Sequence, residues 1–134
     1  MDRVRDAMVV EPPQLDGSAT AQEAAEALGR PEVRAVFVCE DGRLLGVVTR
    51  KTLVREIVAA GRDPRTTTLA GIAEEPLNTI GSELPLDEAF HFLEEQDLER
   101  VPVVEDGRLV GVLSRAVLQR RLAEDEPPVE PVEI

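Results

Sequence analysis

Residues 36–50 read VFVCEDGRLLGVVTR and residues 101–115 read VPVVEDGRLVGVLSR, identical at ten of fifteen positions with a spacing of 65. The same spacing superimposes Glu23-Ala24 on Glu88-Ala89, Leu28 on Leu93 and Leu53 on Leu118. Two copies of one unit imply two similar folding units related by an approximate twofold axis, because a solenoid needs more and shorter repeats. In a chain of 134 residues they would be very small subdomains sharing a core.

Each copy has the same order of elements. A short extended segment, around Leu15 in the first copy and Thr79-Ile80 in the second, precedes an amphipathic helix. The first helix is predicted over residues 20–28, with the Thr20 hydroxyl as cap and Glu23 completing a capping box. Its counterpart carries Pro85 in the first turn and Leu86, Ala89, Phe90 and Leu93 at helical spacing. Two Val- and Leu-rich strands follow, joined by Glu-Asp-Gly-Arg at residues 40–43 and 105–108. Asp-Gly between strands signals a tight hairpin, since such a turn needs positive φ. A closing helix spans 50–60, stopped by Gly61, and its equivalent spans 115–123. The pattern is β-α-β-β-α, twice: a mixed α/β (α+β) fold packed around a pseudo-twofold axis. The expected divisions are repeat one at 1–61, a polar linker at 62–68, repeat two at 69–123, and an acidic, Pro-rich, disordered tail at 124–134.

Hydrophobic residues make up 43% of the chain, but Phe37, Phe90 and Phe92 are its only aromatics. The interior must therefore be built from Val, Leu, Ile and Ala. No apolar run reaches the length of a membrane span, and residues 1–11 lack the core of a signal peptide. The single Cys39 cannot form an internal disulfide, so a cytoplasmic location is expected. Net charge is −12, with 11 acidic and 10 basic side chains in residues 1–65 against 16 and 5 in residues 66–134. So acidic a second half repels a phosphate backbone, which argues against nucleic-acid binding but not against one phosphate held locally.

The duplicated unit resembles a pair of cystathionine-β-synthase-type (CBS) domains over residues 4–123. Gly46-Val47-Val48-Thr49 and Gly111-Val112-Leu113-Ser114 are similar to the family's Gly-x-x-Thr/Ser element. Val101-Pro102-Val103-Val104 matches its strand signature, and Asp6-Ala7-Met8 is similar to its short lead-in. The resemblance implies a regulatory module, without catalysis of its own, that takes AMP, ADP, ATP or an S-adenosyl ligand in clefts between the repeats. It also implies a homodimer acting on a separate, unidentified protein. The residues it assigns to the ligand are Leu15, Val36, Val38, Thr49, Arg50 and Thr52 in the first copy. In the second they are Thr79, Arg100, Val101, Pro102, Val103, Ser114 and Arg115. No metal site or catalytic residue is expected.

Thr49 and Ser114 stand where a strand feeds a helix, so a hydroxyl, free backbone amides and the helix dipole converge. Each could equally be an ordinary N-cap. Arg50, Arg100 and Arg115 could meet phosphate or pair with the abundant carboxylates. Two departures stand out. The family's ribose-binding Asp, three residues after the Thr/Ser, is Thr52 in one copy and Val117 in the other. A lost charged contact of that kind is worth about 1.5–3 kcal/mol. Phe37 replaces the strand Pro and threatens to crowd the first cleft. Cys39 reads as a small buried hydrophobe and His91 as an exposed or interface residue. Charge balance and the Thr52 hydroxyl favour the Thr49 cleft as the stronger site. Two readings survive: a sensor of adenosyl ligands, and a ligand-free homodimeric interaction module. The helix faces, with Phe92 off the Leu86/Ala89/Leu93 stripe, are expected to carry the dimer contact.

Overall fold

The two Asp-Gly turns set the frame of the molecule. In a computed structural model describing residues 2–10, 12–76 and 78–125, Asp41-Gly42 has φ values of 51° and 82°, and Asp106-Gly107 of 51° and 79°. These left-handed pairs reverse the chain between β2 (Val36–Glu40) and β3 (Arg43–Val48), and between β4 (Arg100–Glu105) and β5 (Arg108–Ser114). Together with β1 (Gln14–Asp16), they form one five-stranded sheet in the order β1-β2-β3-β5-β4. The hairpins meet back to back: Arg43 lies opposite Arg108, Leu44 N donates to Gly107 O (3.0 Å) and Leu109 N to Gly42 O (3.1 Å). The partners in those two bonds exchange under the 65-residue shift, which is the expected twofold relation made explicit.

The helices follow the pattern closely. α2 (Ala21–Leu28) begins at Thr20, whose hydroxyl accepts from Glu23 N (3.3 Å), the first half of the expected capping box. α4 (Leu86–Glu95) buries Leu86, Ala89 and Leu93, and Pro85 stands at its cap rather than inside its first turn. The helix expected over 50–60 is α3 (Arg50–Leu53) continued by a wider turn, Val54–Val58, in which Ala59 N donates to Val54 O. Crowding among β-branched Val54, Ile57 and Val58 suits that widening. Gly61, at φ 69°, ends it. α5 (Arg115–Asp125) runs two residues into the segment expected as tail, and residues 126–134 lie outside the described residues. In the second copy, the first strand shrinks to a bridge between Ile80 and Val103. Gly81 weakens the strand there, and Glu105 binds both the N–H and the hydroxyl of Ser82, turning the chain away.

The two cores are built by exchange. α1 (Val4–Ala7) packs on the other repeat, against α5 and β5. Val4, fully buried, joins Leu86, Leu93, Leu113 and Leu118 in the second core. Leu69, its equivalent at the shift of 65, begins a short helical turn (Leu69–Gly71) and joins Ala24, Leu28, Val48 and Ile57 in the first. Main-chain pairing repeats the exchange: Val9 and Val112 trade bonds of 2.8 and 3.0 Å, and Glu74 and Val47 trade bonds of 2.9 and 2.8 Å. Each lead-in is thus held by the other copy's hairpin. Phe90 and Phe92 are half-buried against the second core, so Phe92 is not the free apolar face expected. The exposed large hydrophobics among the described residues are Val9, Val10, Leu45, Val54 and Val58, of which Val54 and Val58, 58% and 73% exposed, lie on a helical face.

The crossing lead-ins run so close to the hairpins that a side chain has no room at Gly46 or Gly111. A Cβ at Gly46 would stand 2.6 Å from Glu74 O and 3.0 Å from the Ala73 Cβ; at Gly111 it would stand 2.9 Å from Val9 O. Gly46→Ala is therefore expected to lower unfolding free energy by about 1–3 kcal/mol, the usual cost of overpacking. Gly71→Ala, whose new methyl would meet nothing closer than Thr68 Oγ1 at 3.8 Å, should leave it unchanged within about 0.5 kcal/mol. Urea denaturation of the two variants checks this, and equal losses would contradict the account of the exchange.

Candidate functional site

Strand alternation separates core from cleft. In β2, Val36 and Val38 enter the first core, so Phe37 faces the other way; in β4, Val101 and Val103 enter the second core, so Pro102 faces the other way. Phe37 and Pro102 then line a cavity of about 650 Å³ between the repeats. Most of its wall comes in pairs related by the shift of 65: Pro13 with Asn78, Val33 with Leu98, Ala35 with Arg100, Phe37 with Pro102, Val47 with Val112. The cavity therefore straddles the pseudo-twofold axis. Its volume falls in the range of small-molecule sites, about 300–1,000 Å³.

The symmetry fails at Glu32, Arg34 and Glu75, which line the cavity without their counterparts, and most tellingly at the two helix starts. Ser114 and Val117 line the cavity, whereas their counterparts Thr49 and Thr52 do not. Thr52 is fully buried. Its hydroxyl accepts from Thr49 N (3.0 Å) and lies 3.1 Å from Thr49 Oγ1, which in turn accepts from Thr52 N (3.3 Å). The two threonines close a capping box on themselves. Val117 has no hydroxyl with which to do the same. Ser114 Oγ accepts only a long bond from Val117 N (3.5 Å), so its hydroxyl keeps capacity toward the cavity. This runs against the expectation of a stronger Thr49 side: the hydroxyl that Thr52 adds is taken up by Thr49 rather than left for a ligand.

The remaining candidates separate by chemistry. Arg100 and Arg34 line the cavity without an ion-pair partner among the described residues. Pairing with nearby carboxylates falls instead to Arg115, whose Nη1 lies 3.6 Å from Asp97 and 3.8 Å from Glu99. Arg50 donates to Arg30 O (2.8 Å). Leu15, half-buried, packs on the first core. Like it, Val36, Val38, Val101 and Val103 could meet a ligand only through their main chain. Thr79 is exposed, and its neighbour Asn78 takes the place on the wall. Glu32, Glu74 and Glu75 add negative charge at the cavity, with Glu74 paired to Arg55. Sequence reasoning passed over Arg34, Asn78 and Leu98, although the repeat spacing relates Asn78 to Pro13 and Leu98 to Val33.

Away from the cavity, the described residues with reactive side chains stand apart from one another. Cys39 is buried, and its thiol is pushed up first by desolvation and then by the Asp16 charge, which keeps it protonated and poorly nucleophilic at neutral pH. His91 is 73% exposed at its side chain, beside Glu94. Among the described residues, no three His, Cys, Asp or Glu side chains gather into a group that could hold a metal ion.

Known proteins place this geometry. The CBS domain family model matches residues 4–59 and 69–124. Hypoxic response protein 1 of Mycobacterium tuberculosis is 32% identical over 106 residues, covering 78% of this chain and 74% of that protein. A crystal structure of Hypoxic Response Protein I with two coordinated zinc ions superposes with a TM-score of 0.76 at 30% identity, covering 90% of this chain and 99% of that one. CBSX2 in complex with AMP superposes with a TM-score of 0.74 at 22% identity, covering 92% and 98%. A CBS domain pair in complex with 5′-methylthioadenosine and S-adenosyl-L-methionine gives 0.71 at 20% identity, covering 94% and 99%. The last two likenesses concern the fold alone.

Because the Thr52 hydroxyl is buried and bonded, Thr52→Val should cost about 1–3 kcal/mol by leaving the Thr49 groups without their partner. Ser114→Ala removes only a long cap bond and should cost less than about 1 kcal/mol. Denaturation midpoints of the two variants test the difference, and a Ser114→Ala loss as large as that of Thr52→Val would contradict it.

Proposed function

The chain belongs to the CBS domain family, and we propose that it is a ligand-sensing regulatory module binding an adenine nucleotide or related adenosyl ligand between its repeats. The observation that carries this reading is the shared cavity, in which the Arg100 and Arg34 guanidinium groups, without an ion-pair partner among the described residues, and the Ser114 hydroxyl border apolar walls. Apolar walls suit a purine, and guanidinium groups suit a phosphate. The AMP and S-adenosyl-L-methionine complexes of structural relatives lend analogy to the ligand class, no more.

Charge at the wall ranks the ligands. With Glu74 paired to Arg55, Glu32 and Glu75 balance Arg34 and Arg100, so the wall carries no positive surplus for a second or third phosphate. Val117 offers nothing to the ribose hydroxyls, where a carboxylate could accept from both. AMP, or an adenosyl thioether or sulfonium, is therefore favoured over ATP. A ligand bridging both repeats would bias their relative arrangement, and regulation follows only if it binds two arrangements unequally. The module would act on a separate protein in the cytoplasm, as a regulator rather than an enzyme, and as a homodimer whose contact covers Val54 and Val58. No helix among the described residues is long and apolar enough to cross a membrane.

The second reading, a ligand-free interaction module, draws on Val117 and on the closed Thr49–Thr52 pair. Thermal shift with AMP, ADP, ATP, 5′-methylthioadenosine and S-adenosylmethionine separates the two. A ligand at 100 times its Kd stabilises the fold by about 2.7 kcal/mol, and AMP is expected to do so at lower concentration than ATP. Arg100→Ala should raise the Kd for AMP about tenfold. Stabilisation by none of the five would leave the interaction module standing. For assembly, sedimentation should give a dimer that Val58→Asp dissociates; a monomer at high micromolar concentration would remove the homodimer.

A further inference from the structure

Phe37 is only 7% exposed, yet it belongs to neither core. Packing of the first core cannot be what holds an aromatic ring at this position, because Val36 and Val38 supply that face of β2 and Phe37 points away from it. Its repeat equivalent across the cavity is Pro102. The two ends of the cavity therefore differ chemically. On the repeat-one side stands the only aromatic ring among the residues lining it; on the repeat-two side stand the Ser114 hydroxyl and the Arg100 guanidinium.

We infer that Phe37 is the platform on which the heterocycle of the bound ligand stacks, with sugar and phosphate directed across the pseudo-axis toward Ser114 and Arg100. This rests on the adenosyl-ligand reading above and adds an orientation and a stoichiometry to it. An aromatic face attracts any base through its π surface, whereas an aliphatic side chain of similar bulk supplies contact area alone. Arg34 and Glu32 line the same side as the ring and offset each other in charge, so the aromatic face at one end and the Ser114 hydroxyl with Arg100 at the other give the ligand its direction. Because Thr49 and Thr52 satisfy each other, the mirror-related placement has no free hydroxyl to meet. One ligand per chain follows, lying across the axis rather than one in each half.

Calorimetric titration of the full chain with AMP and with adenosine tests the inference, using Phe37→Leu, Phe37→Trp and Arg100→Ala. Phe37→Leu should weaken both ligands about tenfold, the scale of base–aromatic stacking, while Arg100→Ala weakens AMP and leaves adenosine unchanged. Phe37→Trp should keep AMP affinity. In a chain with no other Trp and no Tyr, the fluorescence of that variant should be quenched as AMP binds. The expected stoichiometry is one AMP per chain. Phe37→Leu binding AMP as tightly as the parent chain, two ligands per chain, or an unquenched Phe37→Trp would each overturn the inference while leaving the ligand class intact. If Phe37→Leu fails to fold by circular dichroism, quenching in Phe37→Trp decides. A parent chain that binds neither AMP nor adenosine overturns both the adenosyl reading and this one.

Discussion

The exchange of lead-ins between the repeats is the contact on which everything else rests. Val4 completes the second core and Leu69 the first, each fully buried, and burial of such side chains is worth about 1.5–3 kcal/mol apiece. Neither repeat keeps a complete core if the other is removed. The exchange also needs close backbone approach, which is why a glycine stands at Gly46 and again at Gly111. Those glycines open the Gly-x-x-Thr/Ser element, so the same four residues hold the crossing lead-in and set the helix start at Thr49 or Ser114. Fold and cleft are therefore one construction.

From that construction comes a nearly symmetric cavity, and one chemical difference between the copies decides how its two helix starts meet it. Thr52 carries a hydroxyl that turns inward and bonds Thr49; Val117 carries a methyl in its place. The outcome inverts simple intuition about polarity. Adding a hydroxyl to the helix start takes that helix start off the cavity wall, because two threonines three residues apart satisfy each other. The apolar residue leaves its serine underused. A buried polar group finds its partner locally when one is within reach.

Electrostatics divides the arginines in a similar way. Arg115, at the helix start, is held by Asp97 and Glu99, and Arg50 reaches a main-chain carbonyl. Both are engaged although both sit where a phosphate could be met. Arg34 and Arg100, on the approach to β2 and on β4, are the ones left facing the cavity. In so acidic a chain a guanidinium without an ion-pair partner among the described residues is a departure from the general pattern, and its placement beside apolar walls is what gives the cavity its affinity for a small anionic or zwitterionic ligand in our reading.

The repeat, the Asp-Gly hairpins, the helix faces and the twofold relation were all determined by the sequence itself, because each depends on local chemistry: positive φ at Gly42 and Gly107, helical spacing at Leu86, Ala89 and Leu93, and a hydroxyl cap at Thr20. Membership of a duplicated β-α-β-β-α family was legible for the same reason. What the sequence could not determine is which copy each lead-in packs on, since Val4 and Leu69 look equally suited to either core and only the crossing geometry distinguishes them. Nor could it determine which helix start opens to the cavity. Thr49 and Ser114 are equivalent in pattern, and Thr52 reads as a ligand contact until its side chain is seen turned inward. Phe37 passed for an obstruction because a strand position names two faces without saying what lies beyond each. Those decisions belong to the tertiary structure: the Thr52 hydroxyl finds its partner three residues away, but the burial that turns it inward and the free face of one strand are set by elements distant in the chain.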